Sequence, residues 1–210
     1  MRERTPHDCL FRPWISPNKR MMQTLVFSVS IAVGFCVPLL VYGAYRMGYL
    51  TRPQTLLFGI GSGLGLIWEG ALVMLVPRLT EAPLYSIGVD VSVPSPIHVM
   101  SHSFWDGLLF LAGVLLVRRF VEGPHFRAFR WREFLMLVAW GQIQSLVVEL
   151  TATGTGIWTY HPTSWNPALF QVGEKAVTAG PQVIWLIAVS VFYYCCLAVY
   201  GREQKMTGHS

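Results

Sequence analysis

The sequence predicts an all-α fold, a polytopic transmembrane bundle of five helices, and three observations carry that prediction. Of 210 residues, 53% are hydrophobic and only 13% charged, at a mean hydropathy of +0.45; soluble domains run at roughly a quarter charged. Five apolar stretches, over residues 22–43, 54–76, 99–117, 133–151 and 181–200, are each about the length that crosses a hydrocarbon core of ~30 Å. Nothing alternates with the period of barrel strands, and backbone groups in lipid must be satisfied internally, which leaves helices. No polar block is long enough for a separate soluble domain, so residues 1–210 read as a single membrane domain.

The first stretch follows a charged tail, MRERTPHDCLFRPWISPNKR. The tail has no A-x-A-like cleavage site and the run after it is too long for a signal-peptide core. It therefore reads as a retained membrane helix, kinked at Pro38. The second contains GIGSGLGLIWEG, where Gly59/Gly63 and Gly61/Gly65 have the small-xxx-small spacing that lets backbones approach in lipid. Gly65 lies one turn before Glu69 on the same face and leaves room beside that carboxylate. The third and fourth stretches are the shortest, at 19 residues each; His98 immediately precedes the third and His102 lies in its first turn. The fourth presents Gln142, Ser145 and Glu149 at i, i+3 and i+7, along one face. The fifth opens with Pro181-Gln182-Val183-Ile184-Trp185, so Gln182 and Trp185 are neighbours one turn apart.

The connections divide into two kinds. Residues 44–53, 118–132 and 201–210 are short and basic, whereas 77–98 and 152–180 are longer and rich in Pro, Gly and aromatics, with only Arg78 and Lys175 as cations. Nine Lys/Arg against two place the basic face in the cytoplasm by the positive-inside rule. The N-terminus, with its own five Lys/Arg, then lies outside and the C-terminus inside. The formal charge of +5 sits in these short segments, where it sets topology and meets anionic headgroups rather than nucleic acid. Cys9, Cys36, Cys195 and Cys196 form no CxxC and no His/Cys zinc spacing; the last three read as small packing residues, without a structural disulfide.

Ionisable groups lie inside the apolar stretches. Each costs roughly 2.5–3.5 kcal/mol at membrane depth on insertion scales, which makes a functional site the default reading. Glu69 sits about seven residues before the end of the second stretch, hence ~10 Å inside, with Asp106 at a similar depth on the third and Glu149 near the end of the fourth. All three gather in the half of the membrane that faces the long loops, as the walls of one pocket would. His98, His102 and Asp106 follow at i, i+4 and i+8. Bland alternatives stand beside these: His98 as an interfacial group, Glu149 as a cap near a helix end, and Trp158, Tyr160 and Trp165 as an interface belt. The loop that carries these aromatics could equally cover a pocket.

These residues resemble the emopamil-binding protein family, the small membrane bundles that include the sterol Δ8-Δ7 isomerase and sigma-2-receptor-like proteins. The likeness covers about residues 60–195. Ile67-Trp68-Glu69-Gly70 is similar to the family's helix-two carboxylate followed by Gly, and Asp106 occupies the place of its helix-three carboxylate. Gly141-Gln142-Ile143 matches a recurring Gly-Gln pair, and Gln182 with Trp185 matches an amide and a Trp that line the ligand cavity. The isomerase has a His one turn before its helix-two Glu, where this chain has Gly65. The resemblance implies a five-helix-type bundle with a cavity for lipophilic molecules.

Three functions are compatible with these residues. The first is an intramembrane isomerase or cyclase that moves a proton on an isoprenoid or sterol-like molecule. Glu69 is then the candidate acid, Asp106 paired with His102 the acceptor, and Glu149 a further catalytic carboxylate. Trp68, Gln142, Gln182 and Trp185 would line the ligand site, and Trp185 could stabilise a carbocation by a contact worth ~1–2 kcal/mol. The second is non-enzymatic binding of lipids or sterols in the same cavity. The third is a metal site built from His98, His102 and Asp106 with Glu149 or His161. The expected partners are a lipophilic small molecule and membrane lipids, with no nucleic acid and, on the first two readings, no cofactor. The expected location is the inner membrane or endoplasmic reticulum, in a multi-pass arrangement whose oligomeric state stays open.

Overall fold

The computed structural model describes residues 17–77, 84–88 and 93–207; Cys9, Arg78 and most of the basic N-terminal tail lie outside them. In chain order the elements are α1 (Pro17–Arg46), α2 (Arg52–Gly70) running on into a π-helical turn (Ala71–Leu75), β1 (Tyr85–Ile87), α3 (Ser95–Phe120) and α4 (Trp131–Thr155). There follow β2 (Trp158–Tyr160), β3 (Ala168–Val172), β4 (Lys175–Thr178) and α5 (Ala179–Thr207). Five helices among the described residues are long and apolar enough to cross a membrane: Arg20–Arg46, Arg52–Val73, Ser95–Phe120, Trp131–Thr155 and Ala179–Glu203. The protein is thus an all-α, multi-pass membrane bundle with two short strand pairs.

The third span departs most from the sequence expectation. It begins at Ser95, not residue 99, because Pro96 falls in the first turn, where a missing N–H costs nothing and the fixed φ suits the helix. His98 therefore lies in the first turn of the helix and is buried among protein side chains, 3% exposed. The fourth span likewise runs on to Thr155, where Gly156 at φ 78° closes it in the left-handed conformation. Glu149 accordingly stands well inside the helix and is no cap. α1 continues through Pro38 without interruption.

Glycines set the closest helix contact. A Cβ at Gly61 would stand 2.9 Å from Phe110, and one at Gly107 would be 2.8 Å from the Phe58 carbonyl, so α2 and α3 pack nearly backbone to backbone. A Cβ at Gly59 or Gly63, the other small-xxx-small pair, would meet nothing within 4 Å among the described residues. Leu57, Phe110, Val114, Leu137, Trp185 and Phe192 join α2–α5 in the main core. α1 docks on α3 through Val37, Val41 and Leu111, with Ser101 Oγ donating to the Ile31 carbonyl (3.0 Å) and Trp105 Nε1 to that of Ser30 (3.0 Å). Leu39, Leu40, Ile67, Ile143 and Ile187 point outward, an apolar exterior suited to acyl chains rather than water.

The basic side carries a buried carboxylate that the sequence reading did not single out. Glu133, fully buried, accepts from the Phe126 amide (3.2 Å) and Arg130 Nη1 (3.1 Å), with the Tyr193 hydroxyl at 3.4 Å. Phe126, at φ 56°, turns the chain back so that its ring stacks on Tyr200.

At the opposite end the two long loops meet. β1 and β2 pair antiparallel, Tyr85 against Tyr160, Ser86 against Thr159 and Ile87 against Trp158, and β3–β4 forms a hairpin turning at Gly173, φ 62°. The aromatic segment read as a membrane-interface belt is therefore partly a strand, and only Trp165 among its three aromatics is half exposed.

Candidate functional site

A cavity of about 450 Å³ lies within the bundle, beneath the β1–β2 ladder. α2 delivers Trp68 and Glu69 at its last turn, just before the π-helical turn; such turns commonly occur at functional sites. α3 delivers His102, Trp105 and Asp106; α4 delivers Gln144, Ser145 and Glu149; α5 delivers Trp185; and the ladder adds Tyr85, Trp158 and Tyr160. No lysine or arginine is found among the described lining residues.

The walls are mostly aromatic. Trp68 packs on Trp185 with ring centroids 5.3 Å apart, and Tyr85 on Tyr160 at 5.9 Å. Trp68, Glu69 and Asp106, from two different helices, all line this cavity. Gly65 explains why Asp106 fits there: a Cβ at that position would stand 2.6 Å from Asp106 Oδ2. The space foreseen beside Glu69 is occupied by the neighbouring helix's carboxylate. Asp106 Oδ2 is buried with no hydrogen-bond partner among the described residues.

Glu149 faces the ladder. Tyr160 donates its hydroxyl to Glu149 Oε1 at 2.7 Å, whereas Oε2 is buried without a hydrogen-bond partner among the described residues. Burial holds the Tyr160 phenol well above its ordinary pKa, and the carboxylate that accepts its proton reinforces the shift. Tyr85 is raised by burial too, with Glu69 and Glu149 as secondary causes.

Six of the eight residues expected to form the site line this cavity: Glu69, His102, Asp106, Glu149, Trp68 and Trp185. Gln142 and Gln182 do not. Gln142 Nε2 donates to the Gln182 carbonyl (3.2 Å), and Gln182 Nε2 donates to Ser145 Oγ (3.0 Å), so this pair fastens α4 to α5 beside the cavity. Tyr85, Trp105 and Gln144 were missed. Tyr85 lies in a loop with no local signal, and only its pairing with Tyr160 brings it in.

The set expected for a metal is also rearranged. His98 and His102 stack, with ring centroids 4.2 Å apart, and their ligand atoms gather with one of Glu69, all within 4.8 Å of one another. Asp106 is not in this group. At 3.6 residues per turn, each fourth residue advances ~40° around a helix, so Asp106 stands ~80° from His98 and faces Gly65 instead. His161 is exposed, 3.1 Å from Ser86 Oγ, and takes no part in the group.

No family model matches the chain, and neither a curated protein nor a solved structure matches it.

Proposed function

We propose that the cavity binds a lipophilic, isoprenoid- or sterol-like molecule and that its carboxylates move a proton on it, as an isomerase or cyclase would. The observation that carries this reading is that Glu69, Asp106 and Glu149, from three helices, line one aromatic hollow of about 450 Å³. An apolar cavity with a few convergent polar groups is the usual form of a small-molecule site. Carboxyl groups lining one cavity supply a donor and an acceptor for shifting a double bond or closing a ring. Trp68 and Trp185 present faces that attract a developing cation. The likeness to the emopamil-binding family supplies the substrate class.

The test is Glu69→Gln in detergent-purified protein supplied with sterol and carotenoid-precursor lipids. Turnover falls by at least ~100-fold, the usual range for a lost acid–base group, while the helical circular-dichroism signal is kept. Turnover at the wild-type rate removes the assignment. A second reading, binding without catalysis, is favoured by Gly65: Asp106 fills the space where an imidazole would stand one turn before Glu69. Saturable binding with the lipid recovered unchanged distinguishes it.

A further inference from the structure

The geometry points to a site for one divalent transition-metal ion, held by Glu69, His98 and His102 at the edge of the cavity. His98 and His102 are one turn apart on α3, so their rings lie on the same side and stack. Glu69 arrives on α2, which the close α2–α3 contact at Gly61 and Gly107 holds against that face. A ligand atom of each of the three lies within 4.8 Å of the others. Donors around a tetrahedral ion at ~2.1 Å stand ~3.4 Å apart, so a small turn of the rings closes the set.

A second observation is independent of that spacing. His98 is 3% exposed, and its Nε2 is buried without a hydrogen-bond partner among the described residues. An imidazole nitrogen stripped of water and left unpaired is costly, and an ion offers it the missing partner. The ring is fixed from outside by Phe27, 5.5 Å away, and His102 by Trp158 at 6.1 Å. Two imidazoles and one carboxylate form a donor set suited to zinc, iron(II) or manganese(II), and three protein ligands leave a coordination position free.

The site shares Glu69 with the proposed lipid reaction but does not rest on that reading. Glu69 holds either a proton or the ion, so in the loaded protein Asp106 and Glu149 are the carboxylates that remain for proton transfer.

Full-length protein in detergent, stripped with a chelator and dialysed, is titrated with Co²⁺ and Zn²⁺ alone. Expected are one bound ion per chain by elemental analysis and visible cobalt absorption bands that Zn²⁺ abolishes. His98→Ala, His102→Ala and Glu69→Gln each weaken uptake by at least ~10-fold, whereas Arg130→Ala, at the opposite end of the bundle, leaves it unchanged in the folded fraction. Wild-type protein that takes up no stoichiometric ion overturns the site, whatever the variants do. So does undiminished uptake in the folded His98→Ala/His102→Ala double variant. The readout is metal content, so failure of the lipid reaction leaves this test intact.

Discussion

Gly65 and Asp106 meet across the α2–α3 contact so closely that no side chain larger than hydrogen fits between them: a Cβ at 65 would stand 2.6 Å from Oδ2 and 3.0 Å from the Ser103 backbone. Backbone cannot swing aside as a side-chain tip can. Gly65→Ala therefore displaces Asp106 from its place in the cavity wall, with overpacking costs of ~1–3 kcal/mol. Thermal unfolding in detergent should show that loss, and ligand binding or turnover should drop further than Asp106→Asn alone would cause. An alanine variant with unchanged melting and unchanged binding contradicts the contact.

Tyr160→Phe removes the hydroxyl that donates to Glu149 Oε1 at 2.7 Å and leaves both oxygens of a buried carboxyl group unpaired, since Oε2 already has no partner among the described residues. Losing a hydrogen bond to a charged group costs ~1.5–3 kcal/mol. The expected outcome is a lower melting temperature and faster proteolysis within residues 84–88 and 157–160, which the ladder orders. Glu149→Gln in the same background removes the stranded carboxylate and should recover part of the loss, and a double-mutant cycle measures the coupling.

Alkaline titration gives a third prediction. Tyr85 and Tyr160 both have phenol pKa values raised by burial. For an acid whose folded pKa is raised, the stabilisation is whole below the unfolded value of ~10 and fades as pH rises above it. Tyrosinate absorbance developing between about pH 9.5 and 10.5 should thus be the same in wild type and in Tyr85→Phe/Tyr160→Phe. Folded wild-type protein should lose stability above that range faster than the double variant. A smaller absorbance step in the double variant would show that these phenols titrate normally.

On the basic side, Arg130→Ala strips Glu133 of its 3.1 Å ion pair and removes the Arg130 bonds to the Pro124 and Glu122 carbonyls. Because Glu133 is fully buried and Arg130 only partly, a loss of about 2 kcal/mol is expected rather than the larger figure for two buried ions. Chemical unfolding in mixed micelles measures it. Ligand or metal binding at the opposite end should be unaffected in the folded fraction.

The five helices were legible because hydropathy over a bilayer's thickness is a strong, local signal, and their ends were less so. Pro96 looked like a loop residue, yet it falls in the first turn of α3, which puts His98 inside the helix and buries it against protein neighbours. Glu69, Asp106 and Glu149 stood out as charges in oil, and the structure brings all three to one cavity. What the linear pattern could not give was rotation about each helix axis. Gln142 shares a face with Ser145 and Glu149 by spacing, but its amide turns to the α5 backbone; Asp106 shares a nominal stripe with His98 and His102 but drifts toward Gly65. Tyr85 carried no signal at all, since strand pairing between distant loops leaves no local trace.

The β1–β2 ladder also dictates an order of construction. Tyr85 precedes α3 and α4 in the chain, and its partner Tyr160 is synthesised only after both. Until the ladder forms, the carboxylates of α2 and α3 lack the cover that Tyr85, Trp158 and Tyr160 give the cavity. Non-local pairings of this sort form late and slowly, so a nascent chain halted after its third helix would carry unsheltered acids in the membrane, a form that quality-control proteases could recognise.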